Sequence, residues 1–217
     1  MRPLIVSTFL TLDGVMQAPG APEEDPTGGF EHGGWSVNYW DEAMQQRMGE
    51  VMAGGFDMLL GRKTYEIFAA HWPHTDEPGA ETLNTAAKYV ASRTLDSVDW
   101  ENSTLIEGDL AAAVTALKEQ DGPEIQVHGS WDLIQSLLQQ GLVDEFRLWT
   151  FPLVVGPGKR LFGDATLPAG LELVESAISS TGVVMATYRP AGDVEAGSFA
   201  LEQPTEAELE RRDALKD

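Results

Sequence analysis

Short apolar runs recur along this chain, each closed by glycine or a polar turn and followed by an amphipathic segment. Leu4–Phe9, Phe56–Leu60, Tyr89–Ser92, Thr104–Ile106, Glu124–His128 and Phe146–Phe151 have the length and β-rich content of strands. Asp41–Met52 is predicted as a helix, with Met44, Met48, Val51 and Met52 on one face and Gly54-Gly55 as its stop. Lys63–Ala70, Asp109–Lys118 and Trp131–Gln139 also read as helices, with Asp109 as an N-cap and Gly141 as a C-cap. Alternating strands and helices predict an α/β fold, a largely parallel sheet covered on both faces. The runs Leu171–Ser179 and Val183–Arg189 flank Ser180-Thr181-Gly182, a hairpin signal that adds an antiparallel edge. Residues 13–38 and 71–84 are predicted as long loops, and long loops in compact domains tend to serve function.

Charge narrows the possible partners. The chain has 14 basic and 35 acidic side chains, a net charge of −21. Nucleic acids and anionic membranes both need clustered cations, so neither is expected as a partner. With no cysteine, disulfides, thiolate metal sites and cysteine nucleophiles are excluded. The four histidines, at 32, 71, 74 and 128, show no metal-binding pattern. No stretch approaches the ~20 apolar residues that cross a bilayer, and the first apolar run is too short for a signal peptide. A cytoplasmic protein is the expectation. Composition shifts at Pro190-Ala191-Gly192, and residues 193–217 hold eight acids against three bases. We therefore expect one domain over 1–190 and an acidic tail over 191–217, with a short helix starting near Thr205.

Three strand ends carry residues suited to phosphate. In Leu59-Leu60-Gly61-Arg62-Lys63-Thr64-Tyr65-Glu66 a buried strand meets a glycine, then two cations and a threonine opening a helix. Free first-turn amides and the helix dipole favour an anion there, and glycine lets it approach the backbone. A capped helix with two solvated cations is the plainer alternative. Val127-His128-Gly129-Ser130-Trp131-Asp132 repeats the construction, and Ser92-Arg93-Thr94 supplies a guanidinium at a third strand end. Neither a GxGxxG fingerprint nor a P-loop is present. Such residues describe a crevice at the carboxyl edge of a sheet, where open α/β sheets bind ligands. The aromatics Phe30, Trp35, Tyr39, Trp40 and Trp72 fall in or beside the long loops, as walls of a planar site or as core lids.

The order of these pieces, with Phe9-Leu10-Thr11-Leu12-Asp13-Gly14 before them and Pro152-Leu153-Val154-Val155-Gly156-Pro157-Gly158-Lys159-Arg160-Leu161-Phe162 after them, resembles the dihydrofolate reductase-like superfamily. The chain is most similar to stand-alone relatives of the reductase domain of the riboflavin-biosynthesis deaminase-reductase, over residues 1 to about 190. The resemblance implies a mostly parallel, roughly eight-stranded sheet with an antiparallel C-terminal strand. It implies an NADPH-dependent reductase of a small heterocyclic substrate, pterin- or pyrimidine-like, and a homodimer. Gly61, Arg62, Lys63 and Thr64 would then hold cofactor phosphates. Ser92, Arg93 and Thr94 would lie near the adenosine 2′-phosphate, and Gly129, Ser130 and Trp131 would wrap the pyrophosphate. Residues 12–16 would flank the nicotinamide. Asp41 falls roughly where such reductases keep a substrate-binding acid, and Asp13 is a second candidate, unless it only shapes the Asp13-Gly14 turn. Trp35 and Trp40 are candidate substrate contacts. The cations available to a substrate phosphate are few: Arg47, Lys88, Lys159 and Arg160.

Overall fold

The computed structural model describes residues 1–163, 166–200 and 202–215 of the 217. The strands are β1 (Leu4–Thr11), β2 (Asp57–Gly61), β3 (Lys88–Ala91), β4 (Ser103–Ile106), β5 (Ile125–Val127), β6 (Glu145–Phe151), β7 (Leu171–Ile178) and β8 (Val184–Pro190). They form one eight-stranded sheet in the order β4-β3-β2-β5-β1-β6-β8-β7. All neighbours from β4 to β6 are parallel, and β8 alone runs antiparallel to both of its neighbours. This is the dihydrofolate reductase-like sheet that the resemblance implied.

Burial explains the sequence of the central strand. Val6 pairs with Val127 on one side and Phe146 on the other. With helices on both faces, an apolar run such as Leu4-Ile5-Val6 is buried throughout. Helices α4 (Leu110–Glu119) and α5 (Trp131–Gln139) cover one face, with Val114, Leu117, Ile134 and Leu137 packed on Leu4, Val6, Val127 and Phe146. Helix α1 (Glu42–Gly54) sends Met44 into an aromatic cluster of Phe30, Trp35, Trp149 and Phe151 on the other. Helix α2 (Arg62–His71) and the short α3 (Ala80–Thr85) bury Tyr65 and Leu83 against Met58, Leu60 and Val90.

Helix α3 corrects the sequence reading, which made 71–84 all loop. Its cause is tertiary: Ala80 and Leu83 are buried, and a lysine from β3 closes its end. Lys88 is fully buried, and its ammonium donates to the carbonyls of Leu83 (2.8 Å), Asn84 (2.9 Å) and Ala86 (2.8 Å), 4.2 Å from the Trp100 ring centroid. Burial pulls it down to about 8. Lys88 therefore leaves the pool of cations open to a substrate phosphate.

Two features face solvent. Every residue of β7 is exposed, including Leu171, Leu173, Val174 and Ile178. In the tail, Thr205 caps α6 (Glu206–Asp213) through the Glu208 amide, as its sequence suggested, and α6 buries no side chain. Tail positions 201, 216 and 217 lie outside the described residues.

Lys88→Met should destabilise the fold by about 2 kcal/mol, because buried carbonyls lose their donor. That corresponds to a fall of roughly 4–8 °C in Tm, measurable by calorimetry.

Candidate active site

Two helix starts meet where β2 and β5 lie side by side. Gly61 N donates to Gly129 O (3.1 Å). Ser130 Oγ accepts from the Thr64 amide (3.1 Å) and lies 3.3 Å from Thr64 Oγ1. A Cβ at Gly61 would sit 2.6 Å from Ser130 Oγ, and one at Gly129 would sit 2.4 Å from Thr64 Oγ1. Only glycine fits at either place. Because Ser130 caps α2, α5 has no side-chain cap of its own, and Gly61 gives α2 none. The result is a cradle of first-turn amides with no carboxylate in the capping positions.

This cradle borders a cleft of about 1390 Å³. Lys63, Thr64, Gly129, Ser130 and Trp131 line it, as does Trp40; Gly61, Arg62, Ser92, Arg93, Thr94, Trp35, Asp13 and Asp41 do not. Trp40 stacks on Trp149 (5.7 Å between centroids, 29°), and Trp149 stacks on Phe9 (5.3 Å, 26°), which makes an aromatic wall. Trp35 is instead a core residue, with its indole N–H on Gln17 O (2.8 Å) and its ring edge-on to Phe151.

The cations divide. Arg62 reaches back to Glu66, one turn along α2 (3.1 Å). Ser92 Oγ accepts from the amides of Thr94 and Leu95 and shapes the turn that presents Arg93. Gly61 pairs with Ala91, so this turn leaves the sheet beside the start of α2. Arg93 is exposed and has no carboxylate partner among the described residues.

Both candidate acids are held by donors. Asp41 is the N-cap of α1: Oδ1 accepts from Met44 N (3.0 Å), and Oδ2 accepts from the Ser180 hydroxyl and amide (2.7 Å each). The Ser180 hydroxyl and the Met44 amide hold its carboxyl below the usual range. Asp13 accepts from Thr11 Oγ1 (2.6 Å) and from the Val155 and Gly156 amides, tying the end of β1 to the turn after β6. Burial pushes its carboxyl up, but the Thr11 and amide bonds outweigh this and keep it low. Carboxylates so held cap and tie backbone; they are poor proton donors. Neither Asp41 nor Asp13, the two acids expected to take part in catalysis, lines the cleft.

Two features escaped the sequence reading. Asp25, in the loop after β1, is clasped by Lys159 and by Lys63 (3.4 Å), with Thr27 Oγ1 beside both lysines. Gln17 braces that loop through the carbonyls of Asp25 and Thr27. His128, at the end of β5, lines the cleft with its ring near Phe56 and Phe68 (5.9 and 6.2 Å). It donates to the Ser7 carbonyl, and its Nε2 is buried without a partner. Burial pushes it down to about 4, so the imidazole is neutral at pH 7. Its position next to Gly129 at the carboxyl end of a strand is the sequence signal that could have flagged it.

The model of the RibD C-terminal domain matches residues 2–185. The chain belongs to the RibD C-terminal domain family. A relative in this company is the uncharacterized protein YyaP of Bacillus subtilis (strain 168), 28% identical over 192 residues, covering 86% of this chain and 94% of that protein. A structure from Shewanella sp. PV-4, provisionally assigned to riboflavin biosynthesis, superposes with a TM-score of 0.64 at 20% identity, over 87% of this chain and 99% of that one. A pyrimidine reductase-like protein from Corynebacterium diphtheriae gives 0.59 at 14% identity, over 88% and 93%. At these identities the two structures establish the fold. Membership in the RibD C-terminal family supports a reductase role for this chain.

Below its unfolded value near 6.5, His128 takes a proton in the unfolded chain before the folded one does. Stability should therefore fall as pH drops from 6.5 to 4, by up to roughly 3 kcal/mol from this residue. Denaturant melts of wild type and His128→Phe across that range should diverge, with the variant losing less.

Proposed function

We propose that this protein is a cytoplasmic NADPH-dependent reductase of a small heterocyclic molecule, pterin- or pyrimidine-like, with residues 1–190 as its working unit. The observation that carries the cofactor is the cradle where α2 and α5 start. Glycines at 61 and 129 bring bare backbone donors to one point, which suits a pyrophosphate. Lys63, Thr64, Ser130 and Trp131 lie around it, and the unpaired Arg93 beyond it suits the 2′-phosphate that distinguishes NADPH from NADH. Bound there, the cofactor would supply hydride from its nicotinamide ring. The chain's own part is binding and orientation. The Phe9–Trp149–Trp40 wall can hold a flat ring in one plane, and the braced loop after β1 limits water.

A second reading is a nucleotide-binding protein without turnover. It is favoured by the capping roles of Asp13 and Asp41, which leave no free carboxylic acid among the candidates. Oxidation of NADPH with any acceptor in a panel of pterins, pyrimidines and quinones would eliminate it.

We also propose that β7 pairs with a second copy of the chain. An eight-residue edge strand that exposes four large apolar side chains is a template for association. Sedimentation velocity should give a dimer for wild type and a monomer for Val174→Lys/Ile178→Lys.

A hundredfold excess of NADPH over its Kd should raise stability by about 2.7 kcal/mol in a thermal melt, and NADH by less. Arg93→Ala should weaken NADPH binding about tenfold and leave NADH nearly unchanged. Absence of any shift with either nucleotide would overturn the cofactor assignment.

A further inference from the structure

The cleft is lined by seven carboxylates and four cations, and each of those cations already has a carboxylate partner. Lys63 and Lys159 share Asp25. Arg47, on α1, is bound by Glu175 of β7 and lies 3.3 Å from Glu50. Arg147, on β6, makes a two-pronged pair with Glu124 (2.6 and 2.8 Å) and a third bond to Glu145 (2.9 Å). Among the described residues, the solvent-facing cation without a carboxylate partner, Arg93, lies outside the cleft beside the start of α2.

Away from the cradle, then, an anionic group would have to displace a bound carboxylate and would meet further carboxylates around it. At Arg147 and Lys159 the displaced carboxylate would be left partly desolvated and unpaired, and at Arg47 the surrounding acids would repel the newcomer. An uncharged ring meets no such cost. It finds the stacked wall of Trp40 and Trp149, and Met48, Ile67 and Phe68 in the same lining. The wall also holds one unsatisfied buried acceptor, His128 Nε2, since the ring's hydrogen is committed to the Ser7 carbonyl. A buried polar atom without a partner gains a full hydrogen bond when a ligand brings a donor.

We propose that the substrate end of this cleft takes an uncharged ring-shaped molecule whose N–H or O–H donates to His128 Nε2, and that it discriminates against phosphorylated ligands. This rests on the reductase reading for its chemistry, but the binding it describes needs no cofactor.

Calorimetric titrations without cofactor test it. Quinazolin-4-one offers a neutral bicycle with one ring N–H, and its N3-methyl derivative lacks the donor. Wild type should bind the N–H form about tenfold more tightly than the methylated one. In His128→Phe, checked for folding by its melt, the two should bind alike. Uridine 5′-monophosphate should bind no better than uridine. Substituting exposed carboxylates, Glu50→Gln/Glu175→Gln, frees Arg47 without touching the core, and there the monophosphate should gain on uridine severalfold.

The proposal is overturned if quinazolin-4-one does not bind at millimolar concentration, or if the N–H preference survives in His128→Phe. It is equally overturned if wild type prefers the monophosphate, or if freeing Arg47 leaves the nucleotide ratio unchanged. NADPH melts on the same samples separate the two readings. If NADPH binds while these results fail, only the substrate assignment falls; if NADPH fails while they hold, only the reductase reading falls.

Discussion

A side chain at position 61 would drive its Cβ into the Ser130 hydroxyl, and one at 129 would drive it into Thr64. Those two missing side chains let neighbouring parallel strands bring two helix starts together. The Ser130–Thr64 bond then fixes them. Everything that makes this region a candidate site follows from that contact. It sets the cradle of amides, aims Lys63 and Trp131 into the cleft, and places the Ser92–Thr94 turn alongside. A methyl group at 61 would meet the Ser130 amide nitrogen as well as its hydroxyl, and one at 129 would meet the Thr64 hydroxyl that lies against Ser130 Oγ.

Net charge shapes the site in a second way. In a chain carrying −21, carboxylates outnumber cations, so most cations become neutralised. Pairing reaches across the fold: Arg2 meets Asp57, Lys118 meets Asp144, and Arg189 meets Glu145. Arg93, on the turn after β3, has no carboxylate partner among the described residues. Basic residues in this protein therefore differ in what they offer an anion, and position along the chain does not reveal which are free.

Local pattern was enough for most of the fold. Alternating apolar runs and amphipathic segments located the strands to within a residue or two at most ends, and the Ser180-Thr181-Gly182 signal located the antiparallel edge. Helix α3 was missed because six residues after Pro78 carry too little periodicity; buried Leu83 and the Lys88 ammonium sustain it. The glycine turns of the site were legible because close backbone approach demands glycine at fixed spacing from a strand. Asp41 and Trp35 were legible as residue types suited to chemistry, but their partners lie elsewhere. Ser180 binds Asp41 from 139 residues away, and Trp35 reaches back to Gln17 under the loop.

From the sequence alone came the α/β class, the strand-and-helix order, the family resemblance and the two strand–glycine–helix turns. These rest on local propensities and on steric rules that act within a few residues. Tertiary structure alone decided which cations are paired, which acids are caps, and that His128, a residue of the cleft lining, holds a buried nitrogen without a partner. Ion pairing and desolvation depend on what lies within a few ångströms in space, and folding brings together residues that the sequence keeps far apart.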